Sequence, residues 1–282
     1  MAGSSPTSPS TAPARRSTSR SSRTWSWPCP PAPRICLPAT PTTRPRWRCG
    51  CGRSRIDVPA TVSEMTSATA AEVAAVARLL AAAGLVEAFG HVSARIDGGG
   101  FAITSTAPPG RATAEATLAC DEAGMPLGDG AGLPLETPLH AAIYAARADV
   151  GAICRTHSPA AVAAGVADET PPVAHGLGGL SGRVARFGDP QLVTGRERAA
   201  AAVAALGADD CLLIRGNGAV ATGASLPEAA VRAWYLEERA RVWRAGRLEL
   251  SADALEERSS HYPAEADRAW SWLRWRFGGE ER

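Results

Sequence analysis

The sequence predicts an α/β domain over residues 65–246. Three observations carry this expectation. Short apolar runs of strand length alternate with helical segments. Thr137-Pro138 and Ser158-Pro159 share one helix-start signature, a capping residue followed by proline at the first helical position. Ser225, with Glu228 three residues on, forms a capping box ahead of a long helix.

In chain order, Thr66 or Ser67 can cap a first helix, whose apolar positions Val73, Val76 and Leu80 recur at helical spacing. Gly84 is placed to end it. Segments 92–97 and 101–105 alternate in polarity around Gly98-Gly99-Gly100 and read as a hairpin. Residues 115–121 read as a further strand and 150–155 as a buried one. Residues 195–206 read as a helix. Segments 211–214 and 219–222 are expected as strands around Arg215-Gly216-Asn217-Gly218. Residues 247–282 form a tail with one more helix, carrying Trp270, Trp272 and Trp275 for packing or a subunit contact.

Residues 1–64 are different. They hold ten arginines against only Asp57 and Glu64, and no helical or strand period, so they cannot bury a core. A disordered basic tail, a transit-type peptide and a misassigned start codon are the three readings. The last is favoured, because Met65 stands directly before a helix start. The remainder of the chain is acidic, which gives no reason to expect nucleic acid as a partner. With no apolar run of 18 residues and no early apolar segment, neither a membrane span nor a secretory signal is expected. A cytoplasmic protein is expected, with Cys120, Cys154 and Cys211 as buried, reduced thiols.

All thirty basic residues are arginine. A guanidinium stays protonated and forms no imine, so Schiff-base catalysis by lysine and covalent attachment of pyridoxal phosphate are excluded.

Glu136 and His157 each stand one residue before a Thr/Ser-Pro helix start, where side chains reach the rim of a sheet. A carboxylate and an imidazole placed in this way can share a metal or move a proton. Arg155 and His157 are two apart at a strand end and point the same way. His91 follows Phe89-Gly90. His140, one turn into its helix, reads as a packed, hydrogen-bonded histidine. His175 lies in an apolar, glycine-rich loop suited to a pocket wall, and His261 lies in the tail. Asn217-Gly218 is equally a tight hairpin turn.

The order of the motifs is more specific than any one of them. Phe-Gly-His-Val-Ser-Ala-Arg (89–95), Leu-Glu-Thr-Pro-Leu-His-Ala-Ala-Ile-Tyr (135–144), Asp-Val-Gly-Ala-Ile-Cys-Arg-Thr-His-Ser-Pro (149–159), Leu-Leu-Ile-Arg-Gly-Asn-Gly-Ala-Val-Ala-Thr-Gly (212–223) and Leu-Pro-Glu-Ala-Ala-Val-Arg-Ala-Trp-Tyr-Leu-Glu (226–237) follow one another. This series resembles the class II aldolase/adducin family. Within it, the chain is most similar to the branch of pyridine-dicarboxylate decarboxylases and certain secondary-metabolism oxygenases.

The resemblance implies a three-layer α/β/α domain around a mostly antiparallel sheet, commonly a homotetramer acting on small molecules. It also implies a divalent metal held by three histidines, with a glutamate as acid/base. Glu136 matches that glutamate and His157 the second histidine, while Arg155 replaces the first and Asn217 the last. Ser93, Arg95, Thr104 and Ser105 match places that grip a substrate anion, and His91 and Asn217 are expected to bind substrate with them.

Arg155 repels a divalent ion, and an amide oxygen is a poor zinc ligand. Three outcomes follow. A metal (Fe, Mn or Zn) binds through Glu136, His157 and His175, or no metal binds and Arg155 stabilises negative charge, or the domain is a non-catalytic binding module. The leading expectation is a carbon–carbon lyase, by aldol cleavage or decarboxylation, with Glu136, Arg155 and His157 as catalytic residues. The alternative enzyme is a non-heme iron(II) oxygenase.

Overall fold

The computed structural model describes residues 60–246 and 249–279. The expectations for residues 1–59 lie outside the described residues.

Helix α1 (Ala60–Ala82) starts six residues before the expected cap, so Thr66 and Ser67 lie inside it. Its end is as expected. Gly84 takes φ 75°, Leu85 N–H donates to the Leu80 carbonyl and Gly84 N–H to that of Ala81. This paired closure is available only where a left-handed residue follows the helix. The hairpin then forms as β1 (His91–Arg95) and β2 (Phe101–Ile103). Strand β3 (Leu118–Cys120) keeps only part of the expected run, because Thr117 is turned back onto Thr113 and Ala114.

Next come α2 (Thr137–Ala146), β4 (Ala152–Thr156) and α3 (Pro159–Val166), then β5 (Val184–Phe187), α4 (Arg196–Leu206), β6 (Cys211–Ile214) and β7 (Ala219–Gly223). The long α5 (Leu226–Gly246) opens with Ala224 N–H donating to Glu228, and Glu228 N–H to Ser225 Oγ. The tail forms two helices rather than one, α6 (Ala252–Ser259) and α7 (Tyr262–Phe277).

The seven strands form one sheet in the order β3-β2-β1-β4-β7-β6-β5. Every pairing is antiparallel except β5 with β6. The fold class is therefore the expected α/β, with a mostly antiparallel sheet. Strand β5, the parallel edge, has no counterpart in the sequence reading.

Side chains alternate across the sheet with period two. Val92, Ala94, Ala152, Cys154 and Leu213 face one apolar core with α1, α3 and α5. Ile153, Leu212, Ile214 and Val220 face the other, with α2 and α4. Helix α7 buries Ala269 and Leu273 against the first core, and Trp272 and Phe277 meet Trp234 of α5. Cys120, Cys154 and Cys211 are buried free thiols. No helix among the described residues is long and apolar enough to cross a membrane.

Candidate active site

The alternation that builds the cores also decides which polar residues meet. On β1, His91, Ser93 and Arg95 point away from Val92 and Ala94, toward the α2 layer. His91 pairs in register with Arg155 on β4, so the two lie side by side. Glu136 is the N-cap of α2 and brings its carboxylate over them. The expected cap, Thr137, is instead the first helical residue, and its hydroxyl donates to the Pro134 carbonyl.

Arg155 Nε donates to Glu136 Oε2 at 3.1 Å, and the Val193 backbone N–H donates to Glu136 Oε1 at 3.1 Å. His91 Nε2 lies 3.6 Å from Glu136 Oε2. Burial alone would raise the Glu136 carboxyl. The His91 contact, the Arg155 charge and the Val193 N–H together outweigh it and hold the group far below the usual carboxylate range. Glu136 is therefore an ionised acceptor at neutral pH.

Arg155 is fully buried, and its Nη1 donates to the carbonyls of Thr156 and Ala219. This close approach needs Gly218, at φ 80°, where a Cβ would fall 2.0 Å from the Thr156 oxygen and 3.0 Å from Arg155 Nη1. Gly218→Ala is expected to cost about 2–3 kcal/mol in urea denaturation; an unchanged midpoint would refute that.

A cleft of about 500 Å³ opens above this pair. Its polar lining is His91, Ser105, Thr106, Glu136, His157 and Asn217. Phe89, Leu135 and Leu192 stand exposed among its apolar walls. His157 leaves β4 into the cleft, half-buried, and among the described residues its ring makes no hydrogen bond. Burial, then the Arg155 charge, push its pKa down to about 4, so the imidazole is neutral. Asn217 Nδ2 is buried with no acceptor among the described residues. Helix α3 begins beside His157, but Glu237 of α5 accepts from the backbone N–H groups of Ala160 and Ala161. That helix terminus is thus already occupied.

Several sequence expectations are corrected. Arg155 does not line the cleft. It lies beneath Glu136, so it acts on a ligand only through that carboxylate. Arg95 is committed to the end of α2, donating to the carbonyls of Tyr144, Arg147 and Val150. Thr104 accepts the Val92 N–H, and Ser93 is fully buried against His140 and Tyr144. None of these three reaches the cleft. His175 stands on the opposite side of the sheet, where its electrostatic neighbours are Glu238 and Arg239 of α5.

The Glu136–His157–His175 metal set is therefore not assembled. Among the described residues no group of three or more His, Cys, Asp or Glu side chains is placed to hold a metal ion. The donor chemistry agrees: the guanidinium of Arg155 already neutralises Glu136, where a cation would sit. The residues present do not fit a divalent metal. Sequence reasoning missed Val193, whose N–H has no motif. It also did not link Glu136, His140 and Tyr144, whose spacing of four residues places them on one helix face.

Residues 71–244 match the class II aldolase and adducin N-terminal domain. The chain belongs to the class II aldolase and adducin family. Two members with curated names are 3,4-dihydroxyphthalate decarboxylases. The protein from Terrabacter sp. (strain DBF63) is 33% identical over 185 residues, 60% of this chain and 77% of that protein. The one from Arthrobacter keyseri is 30% identical over 190 residues, 61% of this chain and 77% of that protein. Among solved structures, an aldolase II superfamily protein from Pseudomonas syringae superposes with a TM-score of 0.64 at 24% identity, over 75% of this chain and 92% of that one. This likeness shows the shared family fold.

Proposed function

We propose that this family member is a carbon–carbon lyase that decarboxylates a small hydroxylated aromatic carboxylate without a divalent metal. The observation that carries the reading is His157. It is a neutral imidazole, without a hydrogen-bond partner among the described residues, in a mostly apolar cleft beside an ionised carboxylate. The names of the two curated relatives point to the same substrate class.

Loss of carbon dioxide leaves an electron pair on the carbon that held it, and that carbon must take a proton. His157 accepts the proton of a ring hydroxyl, which pushes electrons into the ring. The imidazolium of His157 returns that proton to the ring carbon, the bond to the carboxylate breaks, carbon dioxide departs, and the phenolate that remains takes a proton from water. Glu136, held ionised, favours the imidazolium that forms on His157. The Asn217 amide and the His91 Nε2–H are the donors available to an anionic oxygen. Glu136 thus stabilises charge, and the proton moves on His157. The oxygenase reading loses its support, because its three ligands do not converge.

Purified protein supplied with 3,4-dihydroxyphthalate is expected to release one carbon dioxide per dihydroxybenzoate formed. The rate is expected to be unchanged by excess EDTA. Chelation that abolishes turnover would defeat the metal-free mechanism. Absence of carbon dioxide release across a panel of hydroxylated benzoates and phthalates would defeat the decarboxylase reading. A homo-oligomer belongs to the same proposal, since Phe89, Leu135 and Leu192 leave an apolar rim at the cleft.

A further inference from the structure

Behind the cleft lies a continuous line of side-chain contacts. Tyr144 Oη is 2.8 Å from Ser93 Oγ, and Ser93 Oγ is 2.7 Å from His140 Nδ1. His140 Nε2 is 2.8 Å from His91 Nδ1, and His91 Nε2 faces Glu136 Oε2 at 3.6 Å. Ser93 and His140 are completely buried, and Tyr144 and His91 nearly so. Burial keeps both histidines neutral. Each ring therefore carries one proton, and the line has only two possible directions.

In one direction Tyr144 donates to Ser93, Ser93 to His140 Nδ1, His140 Nε2–H to His91 Nδ1, and His91 Nε2–H points to the Glu136 carboxylate. Every proton within the line then has an acceptor, and the last, on His91 Nε2, faces the Glu136 carboxylate at 3.6 Å, beyond hydrogen-bond length. In the other direction every bond reverses. His91 would turn a bare lone pair toward the carboxylate, and the Tyr144 hydroxyl proton would end with no acceptor among the described residues. A lone pair against a buried anion and an orphaned buried donor are both costly. The charge on Glu136 thus selects the first direction.

We propose that Tyr144, Ser93 and His140 are positioning residues, a one-way hydrogen-bond chain that fixes His91 as its Nε2–H tautomer and aims that proton at the cleft. The role in turnover rests on the reading of this cleft as the active site. The tautomer itself does not, so the two fail separately. The chain gives His91, which lines the cleft, a fixed donor for an anionic substrate oxygen without requiring a charged imidazole.

Long-range proton–nitrogen-15 correlation on the labelled full chain at pH 7 distinguishes the two ring nitrogens. Single substitutions of His157, His175 and His261, which lie outside the chain of contacts, assign those three signals and leave the other two as the His91–His140 pair. The expected result is the Nε2–H form for both His91 and His140. Glu136→Gln removes the charge that sets the direction, and both histidines are expected to lose the pure Nε2–H signature together. The Nδ1–H form of either member of this pair in the unmodified protein would overturn the proposal. So would unaltered tautomers in Glu136→Gln, or a change in one histidine without the other. These readings need neither substrate nor turnover.

Discussion

Arg155→Met lowers folding stability by about 3–5 kcal/mol, measured by urea denaturation at pH 7. Methionine replaces much of the arginine's apolar stem, so volume is largely kept and the charge is what is lost. Glu136, only 4% exposed, is left as a buried anion with the Val193 N–H and His91 as its partners. The cost is that of an uncompensated buried charge, not the net worth of the ion pair. A second variant separates the two. Arg155→Met with Glu136→Gln removes both charges and is expected to recover more than half of the loss. A single variant within about 1 kcal/mol of the parent would show that the pair is not buried and charged as described.

His157→Gln is expected to lower kcat by about 10²–10⁴-fold on whichever hydroxylated aromatic carboxylate the protein decarboxylates. Glutamine keeps a polar side chain but cannot exchange the proton. A loss below about threefold would remove His157 from the chemistry. The pH dependence carries a second signature. With the folded pKa of His157 pushed down to about 4, the acid limb of kcat/KM is expected near pH 4 rather than near the ordinary value of 6.5.

The same shift bears on stability with a definite sign. Between pH 6.5 and about 4 the unfolded chain protonates this histidine while the folded one does not. The contribution is complete above 6.5 and is lost as the pH falls through that window. For His157 alone it is of the order of 2–3 kcal/mol. His157→Gln should therefore show a flatter profile of midpoint against pH.

Much of the fold was legible in local signals. The closure at Gly84, the glycine hairpin between β1 and β2, the proline-marked starts of α2 and α3, and the box at Ser225 all depend on residues a few positions apart. Strand β5 was not legible, because its place is set by pairing with β6 rather than by its own pattern. In the candidate site, Glu136, His157 and Asn217 line one cleft, and their places at junctions between elements are what sequence can mark. Arg95 and Thr104 were misplaced for the converse reason: sequence shows a donor or acceptor but not the backbone carbonyl or N–H it already serves. His175 failed on facing, since a loop residue has no periodicity to say which side of the sheet it joins. His140 was read as packed and hydrogen-bonded, and it is. Its partners could be seen only once β1 lay against α2.

The place of β4 in the sheet also sets an order of events. Its two neighbours, β1 and β7, lie roughly sixty residues away on opposite sides in the sequence. Arg155 and His157 sit at the end of this strand, so they acquire their neighbours only after two long loops have closed. The helices can form while the chain is still largely open, but a collapsed species holding only local structure has no pocket. A molecule that recognises the cleft therefore binds the finished protein alone. Its whole affinity then acts against unfolding, by mass action on the native state.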